Sequence, residues 1–230
     1  MASVENHLIE ILPRNDRLRL LAICEPVPLV FADVLCECGK PTRHVYFPTE
    51  GSISLVTLVD GKPVVEVGTV GREGMLGAHL VLGVVTTPLH ALVHDAGAAW
   101  RIRGTAFRRE LARSPALQRG LNRYLFVLMA QLATSAACLR FHQTGPRLAR
   151  RLLMSQDRAH SDSFRVTQEF LGYMLGVRRV SITKAAGALQ RSGLIEYHRG
   201  DFTVLDRSGL EAAACSCYTT DRKTYADSMH

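Results

Sequence analysis

A chain of 230 residues, 47% hydrophobic and 21% charged, describes a folded protein and excludes an intrinsically disordered one. Its net charge of +7 is unevenly spread: residues 140–200 hold 11 Lys/Arg against 4 Asp/Glu, residues 1–139 hold 14 against 12, and residues 201–230 hold 3 against 5. A basic excess confined to one segment is the footprint of a polyanion-binding face or of a solvated basic surface.

The N-terminal MASVENHLIEILPRNDRLRLL carries charges where a secretory signal needs an unbroken apolar core. The longest run free of Asp, Glu, Lys, Arg and His, residues 124–139, is shorter than the roughly 20 residues that cross a bilayer and reads as a buried helix. A cytoplasmic protein without a membrane partner is expected. Residues 4–23 read as one or two short amphipathic helices interrupted at Pro13, with Leu8, Ile11, Leu12, Leu18 and Leu21 facing inward. From 28 to 102 the pattern is that of short strands punctuated by glycines, and Asp60-Gly61 between two apolar runs signals a hairpin, so an antiparallel roll or barrel is expected.

A short helix over 105–113 follows, and Pro115 can begin the next one. Over 116–143, Leu121, Leu125, Leu128, Leu132, Ser135, Leu139 and His142 alternate steps of four and three, an a/d seam suited to pairing two copies of the helix. Phe126, Met129, Ala133 and Ala136 form a neighbouring apolar surface that could pack on the preceding strands. Gly145-Pro146 is expected to break the helix and offer a hinge.

Residues 164–205 read as helix, tight turn, helix and small hairpin. Thr167 is placed to cap the first helix, Gly176 supplies the turn with φ > 0, and Arg178 to Arg191 has helical periodicity. Val180, Ala185 and Leu189 mark its inner side, with Ala188 beside them. Arg178, Arg179, Ser181, Thr183 and Lys184 are left facing outward near its start, where a recognition helix contacts a DNA major groove.

VTQEFLGYMLGVRRVSITKAAGALQRSGLIEYHRGDFTVLD resembles the winged helix-turn-helix of the Crp/Fnr family of bacterial transcription regulators, with Gly193-Leu194-Ile195 as the step into the wing. HVYFPTEGSISLV and VGREGMLGAHLVLG resemble the glycine-spaced turns of the family's cyclic-nucleotide-binding-like β-roll. The resemblance implies an α+β chain with a β-roll sensor domain (1–114), a dimerisation helix (115–144) and a winged helix-turn-helix DNA-binding domain (145–230). It implies a homodimer on palindromic double-stranded DNA, with RNA polymerase as a further partner.

Within that resemblance, Thr167, Gln168, Arg178, Arg179, Val180, Ser181, Thr183 and Lys184 are the implied DNA-binding set. Arg179 matches an arginine that reads guanine, Lys184 matches a second basic contact, and Ser181 and Thr183 can serve phosphate or base edges. Val180 stands where many members carry glutamate, so the family's best-known half-site does not transfer. Gly172 stands where the first helix usually has alanine. In the effector region Gly77-Ala78 replaces a Gly-Glu pair and Leu89-His90 an Arg-Ser pair, so neither ribose nor cyclic phosphate would be held and no tight cAMP or cGMP binding is expected. His90 and His94 could serve a different ligand, and the signal is left as an unknown small molecule or a redox change.

Six cysteines, Cys24, Cys36, Cys38, Cys138, Cys215 and Cys217, are expected as reduced thiols. The Cys-x-Cys pairs 36/38 and 215/217 lack the usual Cys-x-x-Cys spacing, and Cys24, Cys36 and Cys38 do not reproduce the spacing of iron–sulfur relatives, so no metal or cofactor is expected. Cys138 could report oxidation if exposed and would be inert if buried. A redox- or metal-responsive regulator and a sequence-neutral architectural DNA binder are the rival readings. No nucleophile elbow, phosphate-binding glycine loop or His-Glu-x-x-His motif is present, and Gly71-Arg72-Glu73-Gly74 reads as a turn, so no enzyme is expected.

Overall fold

The computed structural model describes residues 6–59, 62–159 and 161–229. Two short helices, α1 (His7–Glu10) and α2 (Arg14–Leu21), lead in on either side of Pro13. Leu8, Ile9, Leu12 and Leu20 are buried, whereas Ile11 and Leu18, expected inside, are exposed. α1 is a single turn and Pro13 restarts the chain, so one helical phase cannot run through both.

Strands β1 (Glu25–Leu29), β2 (Val34–Cys36), β3 (His44–Val59), β4 (Lys62–Val70) and β5 (Leu89–Arg103) form an antiparallel sheet in the order β1-β5-β3-β4, with β2 also on β5. The β3–β4 ladder closes at Val59↔Lys62; the expected turn residues Asp60-Gly61 lie outside the described residues. Pairing of β3 with β5 slips repeatedly between Pro48 and Ile53, and each slip bends the sheet. Gly51 (φ +78) and Gly97 lie where an added Cβ would collide with the facing strand's backbone, so glycine lets β3 and β5 approach at this bend. Ile53, Val70, Leu76, Ala91 and Val93 fill the roll.

A second core lies between the roll and two helices, α3 (Gly104–Arg113) and α4 (Pro115–Phe141), where Val45, Phe47 and Ile102 meet Phe107, Leu117, Leu121, Tyr124 and Val127. Pro115 opens α4, where its missing N–H has no intrahelical partner to lose, and Ser114 caps the helix by accepting from Leu117 N at 3.1 Å. By length and composition α4 could cross a bilayer, yet this packed face holds it against the roll. The helix is not the buried rod expected of it. Phe126 (54% exposed) and Met129 (62%) are largely open to solvent, and Ala133 and Ala136 are exposed as well. Leu121 belongs to the chain's own core, while Leu132 (40%), Leu139 (38%) and Phe141 (76%) are exposed.

α4 ends at His142, and Gly145-Pro146 does not break a helix as expected. These residues fall in the first turn of α5 (Thr144–Ala159), where proline removes an N–H that no carbonyl would have met. The chain continues through β6 (Ser163–Arg165), α6 (Gln168–Met174), α7 (Arg179–Arg191), β7 (Ile195–His198), β8 (Asp201–Val204), α8 (Arg207–Ala213) and α9 (Cys217–Ser228). A separate core of Leu148, Leu152, Phe164, Leu171, Ile182, Leu189, Ile195, Phe202 and Leu210 unites α5 to α8 with the antiparallel β6-β8-β7 sheet. The last helix then leaves that core. α9 packs along α4, Met229 joins the core between roll and helices, and Tyr225 Oη donates to Glu73 O at 2.8 Å.

Candidate DNA-binding surface and effector cavity

The helix-turn-helix is fixed by local chemistry. Thr167 caps α6 by accepting from Phe170 N at 3.1 Å, and Gly176 (φ +61) turns the chain back toward α7. Gly172 has a role that helix propensity does not reveal. A Cβ there would lie 2.9 Å from Val177 O, and Val177 N donates to Gly172 O at 2.9 Å, so the bare α-carbon lets the turn fold onto α6. Gln168, buried, accepts from Thr183 Oγ1 at 2.6 Å and locks the start of α7 to the start of α6.

On α7 the buried side is Ile182, Ala185, Ala186 and Leu189, spaced for one helical face. Val180 and Ala188, expected on it, are exposed: Ile182 sets the phase, and Val180 lies two positions before it, on another side of the helix. Arg178, Arg179, Val180, Thr183 and Lys184 are exposed and Ser181 is half-exposed, so six of the eight expected positions share the open start of α7. Thr167 and Gln168 hold that start in place as cap and lock. Sequence reasoning missed the wing tip. Arg199 (φ +49) and Gly200 (φ +101) turn β7 into β8 and leave Arg199 exposed at that turn.

The basic excess of residues 140–200 overstates the exposed charge. Arg147, Arg150, Arg151 and Arg158, all on α5, are buried. Arg150 pairs with Asp221 of α9 at 2.5 Å, Arg158 with Glu73 of the 71–74 turn at 2.6 Å, Arg151 with Glu66 of β4 at 3.3 Å, and Arg147 donates to Leu175 O. Four of the eleven positive charges therefore clamp α5 to the rest of the chain. The other seven, including Arg178, Arg179, Lys184 and Arg199, are exposed. The roll also touches the helix-turn-helix directly. Phe170 of α6 stacks on buried His94 of β5, ring centroids 4.9 Å apart. Burial, with Arg151 and Arg158 nearby, holds His94 well below the ordinary histidine range and keeps it neutral.

Between the roll and α4 lies a cavity of about 220 Å³. Gly77, Ala78 and Leu89 line it with Leu55, Val67 and Leu76, and α4 closes it with Leu125, Leu128, Met129 and Leu132. Among the described residues no Asp, Glu, Lys or Arg lines it; its polar groups include His79, Thr87 and Gln131. His90 pairs with Val56 in the ladder and is not part of the lining. Burial lowers His79 below the usual histidine range, so the cavity has no fixed positive charge for a phosphate.

A Crp-like helix-turn-helix domain matches residues 146–213. The fold as a whole matches solved Crp/Fnr-type regulators. FixK2 from Bradyrhizobium japonicum is 14% identical with a TM-score of 0.67, the match covering 84% of this chain and 98% of that one. A CRP-family transcriptional regulator from Thermus thermophilus is 22% identical with a TM-score of 0.64, covering 82% and 96%. A variant of CooA from Carboxydothermus hydrogenoformans is 13% identical with a TM-score of 0.62, covering 92% and 96%. No match was found among curated proteins. Residues 146–213 thus carry a Crp-like helix-turn-helix domain, and the chain as a whole has the fold of Crp/Fnr-type regulators.

Five of the six cysteines fall into two groups. Burial pushes the Cys24 thiol up to about 12 and also raises Cys36, so neither is a poised thiolate. Cys138 is buried, yet its neighbours are not inert: its Sγ lies 3.6 Å from Cys215 Sγ, and Cys217 Sγ lies 3.5 Å from His142 Nδ1. Hydrogen bonding from Cys215, helped by His142 and Arg150, favours a thiolate at Cys138, and the same contact keeps Cys215 protonated.

Proposed function

We propose that this regulator acts in the cytoplasm as a homodimer on a palindromic operator and answers to a signal other than cAMP. A β-roll sensor (1–114), a dimerisation helix (115–144) and a winged helix-turn-helix (145–230) divide the work. The observation that carries the DNA-reading part is the open start of α7. Arg178, Arg179, Ser181, Thr183 and Lys184 are presented together there, and the Thr183–Gln168 hydrogen bond fixes their orientation. Arg179 reads a guanine through its planar fork, Lys184 and Arg178 meet phosphate or base edges, and Arg199 on the wing meets the flanking backbone. Val180 offers an apolar contact, suited to a thymine methyl and unable to accept from a cytosine amine.

Pairing rests on α4. Its exposed apolar side, with Leu132, Ser135 and Leu139 on the seam and Phe126, Met129 and Phe141 around it, is the kind of surface that a second copy covers. Leu125 and Leu128 are half-buried against the chain's own core and support the seam from behind, whereas Leu121 is fully committed to that core.

The cavity between roll and α4 favours a neutral, largely apolar ligand. Such a ligand would touch Leu128 and Leu132 on the pairing helix, so its binding would differ between dimers whose α4 helices sit differently, the condition for shifting a population. The Arg158–Glu73 and Arg151–Glu66 pairs and the Phe170–His94 stack would carry that shift to α6 and α7. Selecting bound sequences from a random DNA pool with the purified protein tests the proposal. A palindrome with half-sites about one helical turn apart supports it. Enrichment of a single half-site, or of none, refutes the dimeric and the sequence-reading parts respectively.

A further inference from the structure

The last turn of α4, the residue that ends it and the chain entering α9 bring four metal-ligating side chains together. Cys138 and His142 are four residues apart, so they lie on one side of the helix as it ends. Cys215 and Cys217 flank the start of α9. The three sulfurs and a ring nitrogen all lie within 4.8 Å of one another. The three cysteines are buried, carry no disulfide, and form a hydrophobic cluster of their own away from the two large cores.

We infer that Cys138, His142, Cys215 and Cys217 form a closed tetrahedral site for one zinc ion, which ties the C-terminal helix to the end of the pairing helix. With metal–sulfur bonds of about 2.3 Å and a metal–nitrogen bond of about 2.0 Å, tetrahedral geometry sets neighbouring donors about 3.5–3.8 Å apart. Two of the six donor–donor edges, 3.6 Å between Cys138 and Cys215 and 3.5 Å between Cys217 and His142, already match that spacing, and the others, within 4.8 Å, need only small side-chain shifts to close around an ion. Donors this close enclose a single ion and leave no room for a bridged iron–sulfur cluster. Three thiolates and a neutral imidazole are a soft donor set with no open position, as in structural zinc sites.

On binding, the cysteines form three metal–sulfur bonds and release to solvent whatever thiol protons they still carry. The filled site has a net charge of −1, and the guanidiniums of Arg150 and Arg147 stand close enough to offset it. Arg150 is itself anchored by Asp221 on α9, so the ion, the arginine and the helix brace one another. Position gives the site its consequence. His142 lies between α4 and α5, where the helix-turn-helix joins the pairing helix, so an ion there fixes the angle at which α7 is presented. Cys36 and Cys38 belong to no such group among the described residues.

The test uses the full-length protein purified under reducing conditions. Elemental analysis after gel filtration should find about one zinc per chain, and replacement by cobalt(II) should give the intense sulfur-to-metal charge-transfer absorption of a tetrahedral thiolate site. Cys217→Ser and His142→Gln should each weaken zinc binding, measured against a chromogenic chelator, by more than about tenfold, while Cys36→Ser leaves it unchanged. Circular dichroism separates loss of metal from loss of fold, and the cobalt spectrum of the unmodified protein needs no variant. Three results would overturn the inference: zinc removed by gel filtration alone, a cobalt adduct without sulfur charge transfer, or equal affinity in the unmodified protein and both ligand variants.

Discussion

The start of α7 and the cavity beside α4, the two ends of the proposed signalling path, have opposite chemistry. The α7 surface is built from exposed Arg, Lys, Ser and Thr side chains held by a cap and a buried glutamine, whereas the described lining of the cavity holds no Asp, Glu, Lys or Arg. DNA offers every protein the same phosphates and the same four base edges, so a reading surface must keep basic and hydrogen-bonding groups. A sensing cavity answers to whatever ligand it serves, and the one proposed here is lined mainly by apolar side chains. The output of such a fold can therefore be inferred from its surface chemistry, and its input only from the shape and polarity of its cavity.

Breaking the pairing helix should have the largest effect. Leu132→Glu with Leu139→Glu introduces charge into the exposed seam and should weaken self-association by at least about 100-fold, or about 3 kcal/mol, in sedimentation experiments. Operator affinity should fall with it, since one half-site alone supplies a fraction of the contacts. If the variant remains dimeric at the same concentration, α4 is not the interface.

Next comes the proposed path between the cavity and α7. Glu73→Ala leaves the Arg158 guanidinium buried without its 2.6 Å partner, and about 3–5 kcal/mol of stability should be lost in urea unfolding. Glu73→Gln, which keeps one acceptor, should lose less. Equal losses would mean that the side chain's bulk matters and its charge does not.

A smaller effect should appear with pH. His94 is neutral in the folded state because its pKa lies well below 6.5, so below about pH 6.5 the unfolded chain binds a proton that the folded chain does not. Stability should therefore fall as pH drops below about 6.5, with a slope of up to about 1.4 kcal/mol per pH unit for this residue. The raised carboxyl of neighbouring Asp95 works in the opposite direction, nearer the acid range. His94→Phe keeps an aromatic ring against Phe170 and should flatten the dependence between pH 7 and 5.5; an unchanged slope assigns it to another group.

The smallest expected effect is none at all. Calorimetric titration with cAMP should give no saturable heat, because neither Ala78 nor Leu89 can hold ribose or phosphate and no charged side chain among the described residues lines the cavity. Micromolar affinity would mean that the polar groups His79, Thr87 and Gln131 suffice for the nucleotide.

What the sequence made legible was what local chemistry decides. Thr167, Gly176, Pro115 and the Gly193 step into the wing each act on their own few neighbours, and each sits in the structure where its type requires. Properties set by partners distant in the chain were not legible. The basic run of 140–200 looks uniform in composition, yet Arg150 and Arg158 find Asp221 and Glu73 across the fold and turn inward. Gly145-Pro146 reads as a helix breaker because a proline inside a helix and one in its first turn look alike until the boundary is known. Phe126 and Met129 are mostly exposed, Met129 at the edge of the cavity, although their apolarity alone suggests burial against the strands. The cysteine–histidine group escaped because Cys138 and Cys215 lie 77 residues apart and neither pair has a metal-binding spacing by itself.

The most direct test of the account is the affinity of the unmodified protein and of Arg179→Ala for the selected operator and for shuffled DNA, measured at one salt concentration by fluorescence anisotropy. The account predicts that Arg179→Ala loses about 1–3 kcal/mol per half-site on the operator and much less on shuffled DNA, collapsing the ratio between them. Equal loss on both DNAs would contradict it, because Arg179 would then be a phosphate contact and the start of α7 would bind without reading.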